Sequence, residues 1–124
     1  MHTPDDNKHS NFALFHLIES KKLTELLRDR KLQQRDFAVL FAMMSQCDTR
    51  TGEIRFMVKT LAADINMNAT SFSNSLKRLK TNLIIASVVK RTGDKYYLIN
   101  PYLFSVGSKQ KWGFSLQRFM NAVN

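Results

Sequence analysis

The chain carries a single cysteine, Cys47, and this excludes two architectures: no disulfide can close within the chain, and no thiolate cluster can hold a structural zinc ion. At the end of an apolar run, Cys47 reads as a buried small residue. Glycine is scarce too, with four in 124 residues, and none belongs to a P-loop or a GxGxxG fingerprint. Apolar runs are short. The longest, Phe37 to Met44, has eight residues, far below the ~18 needed to cross a bilayer. The first ten residues, MHTPDDNKHS, lack the basic start and apolar middle of a secretory signal. A disordered tail over residues 1–11, a cytoplasmic protein and no membrane partner are the expectations. His2, His9 and His16 show no HExxH-like spacing, and His16 reads as a strand or surface residue. Glu19, Glu25, Asp29, Asp36 and Asp48 stand beside Lys and Arg, the pattern of solvated ion pairing along helices and not of an acid/base dyad. No enzymatic activity, metal, cofactor or small-molecule ligand is therefore expected. The hydrophobic content of 44% is enough for one core, so residues 12–124 are expected to form a single domain.

What the chain does have is positive charge, unevenly placed. Lys and Arg number 19 against 10 Asp and Glu, a net of +9. Residues 1–58 hold nine basic and eight acidic residues; residues 59–124 hold ten basic residues and only Asp64 and Asp94. A cationic surface of this kind attracts polyanions and releases their counterions, so binding should weaken steeply with salt.

The charged half contains a distinctive segment, TLAADINMNATSFSNSLKRLKTNLI, from Thr60 to Ile84. It reads as two short helices meeting at a sharp turn. In the first, Leu61, Ala62 and Ile65 point inward, and Asn66 takes a turn position that favours a left-handed residue. In the second, Phe72, Leu76, Leu79 and Leu83 recur at i, i+4, i+7 and i+11 and share one face. The opposite face carries Thr70, Asn74, Lys77, Arg78 and Thr81, with Ser71 and Ser73 on its shoulders and Asn68 placed as the helix cap. Asn suits the N6/N7 edge of adenine, Lys or Arg suits guanine O6/N7, and hydroxyls reach bases or phosphates. Alone, such a face is equally that of a merely polar surface helix.

After Ile84 the period changes. IASVVKRTGDKYYLIN reads as two β runs around a Thr92-Gly93-Asp94 turn, with Lys90, Arg91 and Lys95 near the tip. Those cations are placed to meet phosphates or a minor groove, or else only to keep the hairpin soluble. Upstream, NFALFHLIES reads as a strand or extended arm, and KKLTELLRDR as a helix with Leu23, Leu26 and Leu27 inward. QQRDFAVLFAMMSQC reads as a core helix facing inward through Phe37, Leu40, Phe41 and Met44, and DTRTGEIRF as a turn and short strand. Met43, Met44, Met57 and Met67 are assigned to core or turn packing. Downstream, Trp112, Leu116, Phe119 and Val123, with Met120 beside them, form the apolar stripe of a final helix. That stripe either completes the core or packs on a second copy.

The stretch GEIRFMVKTLAADINMNATSFSNSLKRLKTNLI resembles the helix-turn-helix of bacterial winged-helix DNA-binding domains, with Asn74, Lys77 and Arg78 on the recognition helix. Met57 departs from that pattern, since the family commonly has Ser or Thr as the cap there. The run Ile99-Asn100-Pro101 followed by Gly107 and a basic amphipathic helix is similar to RepL-type plasmid replication proteins and their bacterial and phage relatives. The resemblance implies a mainly α protein with a small β-hairpin wing, an α+β winged helix-turn-helix. Residues 33–101 would be the minimal winged helix, and residues 12–32 and 102–124 accessory elements that build a homodimer. It further implies sequence-specific double-stranded DNA binding, as a transcriptional regulator or a replication protein. The alternative is a winged-helix module that meets protein, although such a surface is ordinarily poorer in Lys and carries an aromatic anchor.

Overall fold

The computed structural model describes residues 15–17, 20–106 and 109–123. Side chains are described over residues 21–104 and 115–123. The expected tail over residues 1–11, the His2 and His9 assignments, Gly107, and the side chains of His16 and Trp112 lie outside these. The described chain is mainly helical with small antiparallel β pairs: β1 Phe15–Leu17, α1 Ser20–Arg28, α2 Gln34–Met44, α3 Val58–Asp64, α4 Ala69–Thr81, β2 Ile85–Val89, β3 Lys95–Ile99, β4 Phe104–Val106 and α5 Lys109–Val123. Strand β1, in the expected arm, pairs antiparallel with β4, and β2 pairs antiparallel with β3. β4 has no counterpart in the sequence reading.

The core is built where α2, α4 and the β2–β3 hairpin meet. Val39, Leu40, Met43 and Met44 of α2 face Phe72, Leu76 and Leu79 of α4, with Ile85, Tyr97 and Ile99 of the hairpin closing the layer. Helix α2 is rotated from expectation. Phe41 is exposed and Phe37 only partly covered, whereas Asp36 faces fully inward. Every residue from Phe37 to Met44 is apolar, so composition leaves the face open; Asp36, on the same side as Leu40 and Met43, sets it. The expected short strand reduces to Ile54, which exchanges both backbone hydrogen bonds with Tyr97, at 3.0 and 2.9 Å. Phe56 beside it stacks on Tyr97 at 5.3 Å and meets Phe72 edge-on at 5.8 Å. Aromatic pairs of this geometry add roughly 0.5–1.5 kcal/mol to their burial.

Strand β3 is covered on both sides, which explains its unbroken burial from Tyr96 to Ile99. Tyr97 and Ile99 face the main core, while Tyr96 and Leu98, with Ala86 of β2, form a second cluster under Phe119 of α5. The final helix thus packs on its own hairpin through Phe119 and Ala122. The expected stripe splits here: Val123 and Met120 remain exposed and Leu116 is half-buried.

Three helices end alike, each closing on a residue with positive φ that is not glycine: Arg30 at 60°, Asn66 at 55° and Leu83 at 58°. After α4, the N–H of Leu83 donates to Lys80 O at 3.0 Å and that of Ile84 to Leu79 O at 2.9 Å. This is the paired bonding of a Schellman motif, with Leu79 and Ile84 as its apolar contact. Asn66 and Met67 close α3 onto Ala63 and Ala62, and Arg30 and Lys31 close α1 onto Leu27 and Leu26, in the same pattern. Asn66 therefore occupies the left-handed position expected of it. Leu83 does not join the apolar face assigned to it, because the reversal turns it outward, 52% exposed, and Ile84 enters the core instead. Met57 is likewise not a packing residue: it precedes α3 without a side-chain cap and is 73% exposed.

A left-handed conformation costs an L-residue roughly 1–2 kcal/mol, of which glycine returns part as unfolded-state entropy. Leu83→Gly is therefore expected to raise stability by about 0.5 kcal/mol in urea unfolding. Leu83→Val, with a β-branch at the same φ, should lower it by about 1 kcal/mol. The reverse order of the two variants would contradict the strained reversal.

Candidate nucleic-acid interface

Helix α4 is the element that gathers most of the expected contact residues. Its start is fixed by Asn68, whose Oδ1 accepts the Ser71 N–H at 2.7 Å, so Asn68 is a helix cap as its position suggested. With Phe72, Leu76 and Leu79 buried, the outward stripe is Thr70, Asn74, Lys77 and Thr81, all exposed. Their i, i+4, i+7, i+11 spacing makes one row about 16 Å long. Ser71 and Ser73 are half-buried on its shoulders. Lys80, missed in the sequence reading, is exposed on the Ser73 side; helical spacing from Ser73 and Lys77 would have found it.

Arg78 does not belong to the outward row. Its Nε donates to both Asp36 carboxylate oxygens, at 3.1 and 2.9 Å, and its Nη2 donates to Asp36 Oδ1 at 2.7 Å and to Ser75 Oγ at 3.2 Å. Both partners, Asp36 and Ser75, are fully buried. Asp36 also accepts the Gln33 N–H at 2.8 Å, which caps the start of α2. Burial pushes the Asp36 carboxyl up, but the Arg78 hydrogen bonds, the Gln33 N–H, Ser75 and the Arg78 charge outweigh it and hold it below the usual carboxylate value. The Asp36 hydrogen bonds raise the Arg78 guanidinium in turn. Two expectations are corrected here. Asp36 is no solvated surface acid, and Arg78, set beside the outward row and not on it, is committed as a clamp between α2 and α4.

The hairpin brings the second group of cations. Gly93, at φ 89°, closes the three-residue connection Arg91-Thr92-Gly93, with Gly93 N–H on Lys90 O at 2.9 Å and Lys90 N–H on Asp94 O at 2.8 Å. Lys90, Arg91 and Lys95 are exposed around it. The nearby acid is engaged: Arg55 donates to both Asp94 oxygens, at 3.0 and 2.6 Å, and these bonds hold the Asp94 carboxyl below its usual value. Arg55 also pairs with Glu53 at 2.7 Å, and Arg118 of α5 pairs with the other Glu53 oxygen at 2.6 Å. Tyr96 lies beneath them, with the Arg55 guanidinium 4.9 Å, the Lys90 ammonium 5.5 Å and the Arg118 guanidinium 5.8 Å from its ring centre. Lys95 sits 5.4 Å from the Tyr97 ring. Ring faces hold these cations without neutralising them.

Among the described residues, no cluster of His, Cys, Asp and Glu could hold a metal ion, and no helix is long and apolar enough to cross a membrane. Comparisons with protein-family models, with curated proteins and with solved structures give no match.

The buried ion pair makes a quantitative expectation. Arg78→Ala leaves a buried carboxylate unpaired and should cost about 3 kcal/mol at pH 7, toward the low end for such pairs because the Arg78 side chain is a quarter exposed. Asp36 has a depressed folded-state pKa, so its stabilisation is present above the ordinary value of 3.8 and is lost as pH falls through the folded-state value. The gap between wild type and Arg78→Ala in urea unfolding should therefore shrink from pH 7 to pH 3. A gap that stays constant would contradict the clamp.

Proposed function

We propose that the chain binds double-stranded DNA in a sequence-dependent way as a winged helix-turn-helix protein, with α4 as the recognition helix and the β2–β3 hairpin as the wing. One observation carries this reading: the outward row Thr70, Asn74, Lys77 and Thr81 has no carboxylate and lies opposite the buried face of Phe72, Leu76 and Leu79, on a helix followed directly by a basic hairpin. The element order supports it, since α2, the Ile54 bridge, α3, α4 and the hairpin run in the order of a winged helix. The turn at Asn66 sets α4 against α3, as a helix-turn-helix requires. A major groove admits a helix of this width, and Asn74 is the group on the row suited to the adenine N6/N7 edge. Lys77, Lys80, Lys90, Arg91 and Lys95 supply phosphate contacts. A transcriptional regulator and a plasmid or phage replication protein use the same binding physics. The +8 carried by residues 59–124 favours DNA over a protein partner.

Anisotropy titration against random duplex DNA at several salt concentrations tests the reading. Binding should weaken linearly on a log–log plot, and binding indifferent to salt would refute it. On a duplex selected from a random pool, Asn74→Ala should cost about 1–3 kcal/mol and relax preference at one position. Lys90→Ala with Lys95→Ala should weaken all sequences alike.

We further propose a homodimer, supported by the exposed Met120 and Val123 of α5. A two-fold dimer would set two α4 helices on half-sites about one DNA turn apart. A monomer mass in light scattering at micromolar concentration, in the presence and absence of duplex, would exclude it.

A further inference from the structure

A second cationic feature lies outside both the α4 row and the hairpin. Residues from five parts of the chain line one open groove: Lys21, Lys22 and Glu25 of α1, Lys31 of the following turn, Thr81 to Leu83 at the end of α4, Asn100, and Tyr102. Its neighbour, lined by Lys31, Lys77, Arg78, Thr81 and Asn82, joins it to the outward row, since Lys77 and Thr81 belong to both. Lys21, Lys22, Lys31 and Lys77 are all exposed, and Glu25 is the one acid on the walls.

The walls are fixed by hydrogen bonds of Asn82 and Asn100. Asn82 Nδ2 donates to Arg78 O at 2.8 Å and to Lys31 O at 3.2 Å, tying the end of α4 to the turn after α1. That turn is set by Arg30 in the left-handed region and by the Lys31 N–H on Leu26 O at 2.9 Å. On the far side, Asn100 Nδ2 donates to Leu83 O at 2.7 Å, and Asn100 Oδ1 accepts the Tyr102 N–H at 2.9 Å. The backbone is thus pinned from both directions, while Lys22, Lys31 and Lys77 stand exposed along an open channel with exposed Leu83 and Tyr102 as its apolar side. An ordered channel of point charges that continues a polar helix face fits a repeating anion better than a compact one.

We infer that this groove is a second phosphate-backbone site for the same DNA duplex, in which Lys22 and Lys31 contact phosphates beyond those met by α4 and the hairpin. The inference rests on the DNA-binding reading above, and it gives the first helix a role in affinity without a role in base readout.

The test uses the full chain, a selected duplex, and anisotropy from 50 to 200 mM salt. Each phosphate contact contributes a log–log slope of about 0.9, so Lys22→Ala with Lys31→Ala should lower the slope by about 1.8. Over that fourfold rise in salt the wild type should lose about 12-fold more affinity than the double variant. Sequence preference should be unchanged and the nuclease-protected footprint shorter. Lys22→Glu with Lys31→Glu should weaken binding further, with unfolding midpoints showing that the fold is kept. Arg28→Ala, on the same helix but off the groove and paired with Asp29, should leave the slope as it is. Double variants with the wild-type slope would overturn the groove while leaving the DNA reading intact. A wild type that binds no duplex at low salt would overturn the DNA reading itself. A single-stranded competitor that abolishes the difference between wild type and double variant, while duplex of equal length does not, would also overturn the assignment to duplex backbone.

Discussion

The orientation of α4 depends on one buried ion pair. Phe72, Leu76 and Leu79 bring the helix to the core, but an apolar stripe tolerates some rotation and sliding of the helix it belongs to. The bidentate contact between Asp36 and Arg78 tolerates little, because a guanidinium and a carboxylate meet in one plane and a mispaired buried carboxylate is costly. Asp36 also caps α2 and rests against Ser75 through Arg78, so the start of one helix and the middle of another share one charge. The same contact turns α2 so that Leu40 and Met43 face inward and Phe41 does not. With α4 set this way, the outward row follows as the other side of a fixed object.

Glycine scarcity shapes the helix ends. Where many chains place glycine, this one reverses direction on Arg30, Asn66 and Leu83, each in the left-handed region. Asn tolerates the conformation through its short polar side chain; Arg and Leu do not share that advantage. Each reversal is held by the same two backbone bonds, and the Leu83 carbonyl is further held by Asn100. The reversals after α1 and α4 lie beside each other, joined by Asn82 to Lys31 O, so strain at both is supported by one side chain.

Elements were legible in the sequence where periodicity and local chemistry agreed. The α4 stripe from Phe72 to Leu79, its Asn68 cap, the Asn66 turn and the hairpin at Gly93 are all local signals, and each lies where the residues place it. Errors arose where the deciding partner is distant. Arg78 falls on the helix side away from the apolar stripe, and only Asp36, 42 residues earlier, withdraws it. Leu83 continues an i+4 rhythm that the helix itself does not continue. Met57 looks like a core residue by type, and nothing around it in sequence says that Phe56 takes the inner position. The groove beside Lys31 was invisible for the same reason, since its walls are 51 residues apart along the chain.

Three arginines are committed to carboxylates, whereas Arg91 stays exposed with the lysines. Arg55, Arg78 and Arg118 are each bound to a carboxylate, and Glu53, Asp36 and Asp94 are the acids they hold. Lys77, Lys80, Lys90, Lys95, Lys22 and Lys31 remain at the surface as compact, hydrated point charges. This follows the chemistry of the two side chains: the planar guanidinium suits a fixed two-point contact with a carboxylate, whereas an ammonium on a flexible stem suits a solvated anion. With Arg78 committed to Asp36, the outward row of α4 offers Asn74, suited to the adenine N6/N7 edge, and Lys77, suited to guanine O6/N7. In the proposed reading, discrimination by this helix would rest on Asn74 and Lys77, with the other lysines setting affinity and register. A protein so built would hold DNA strongly through charge and read few positions directly, leaving duplex shape and, in a dimer, the spacing of two half-sites to supply the rest of its selectivity.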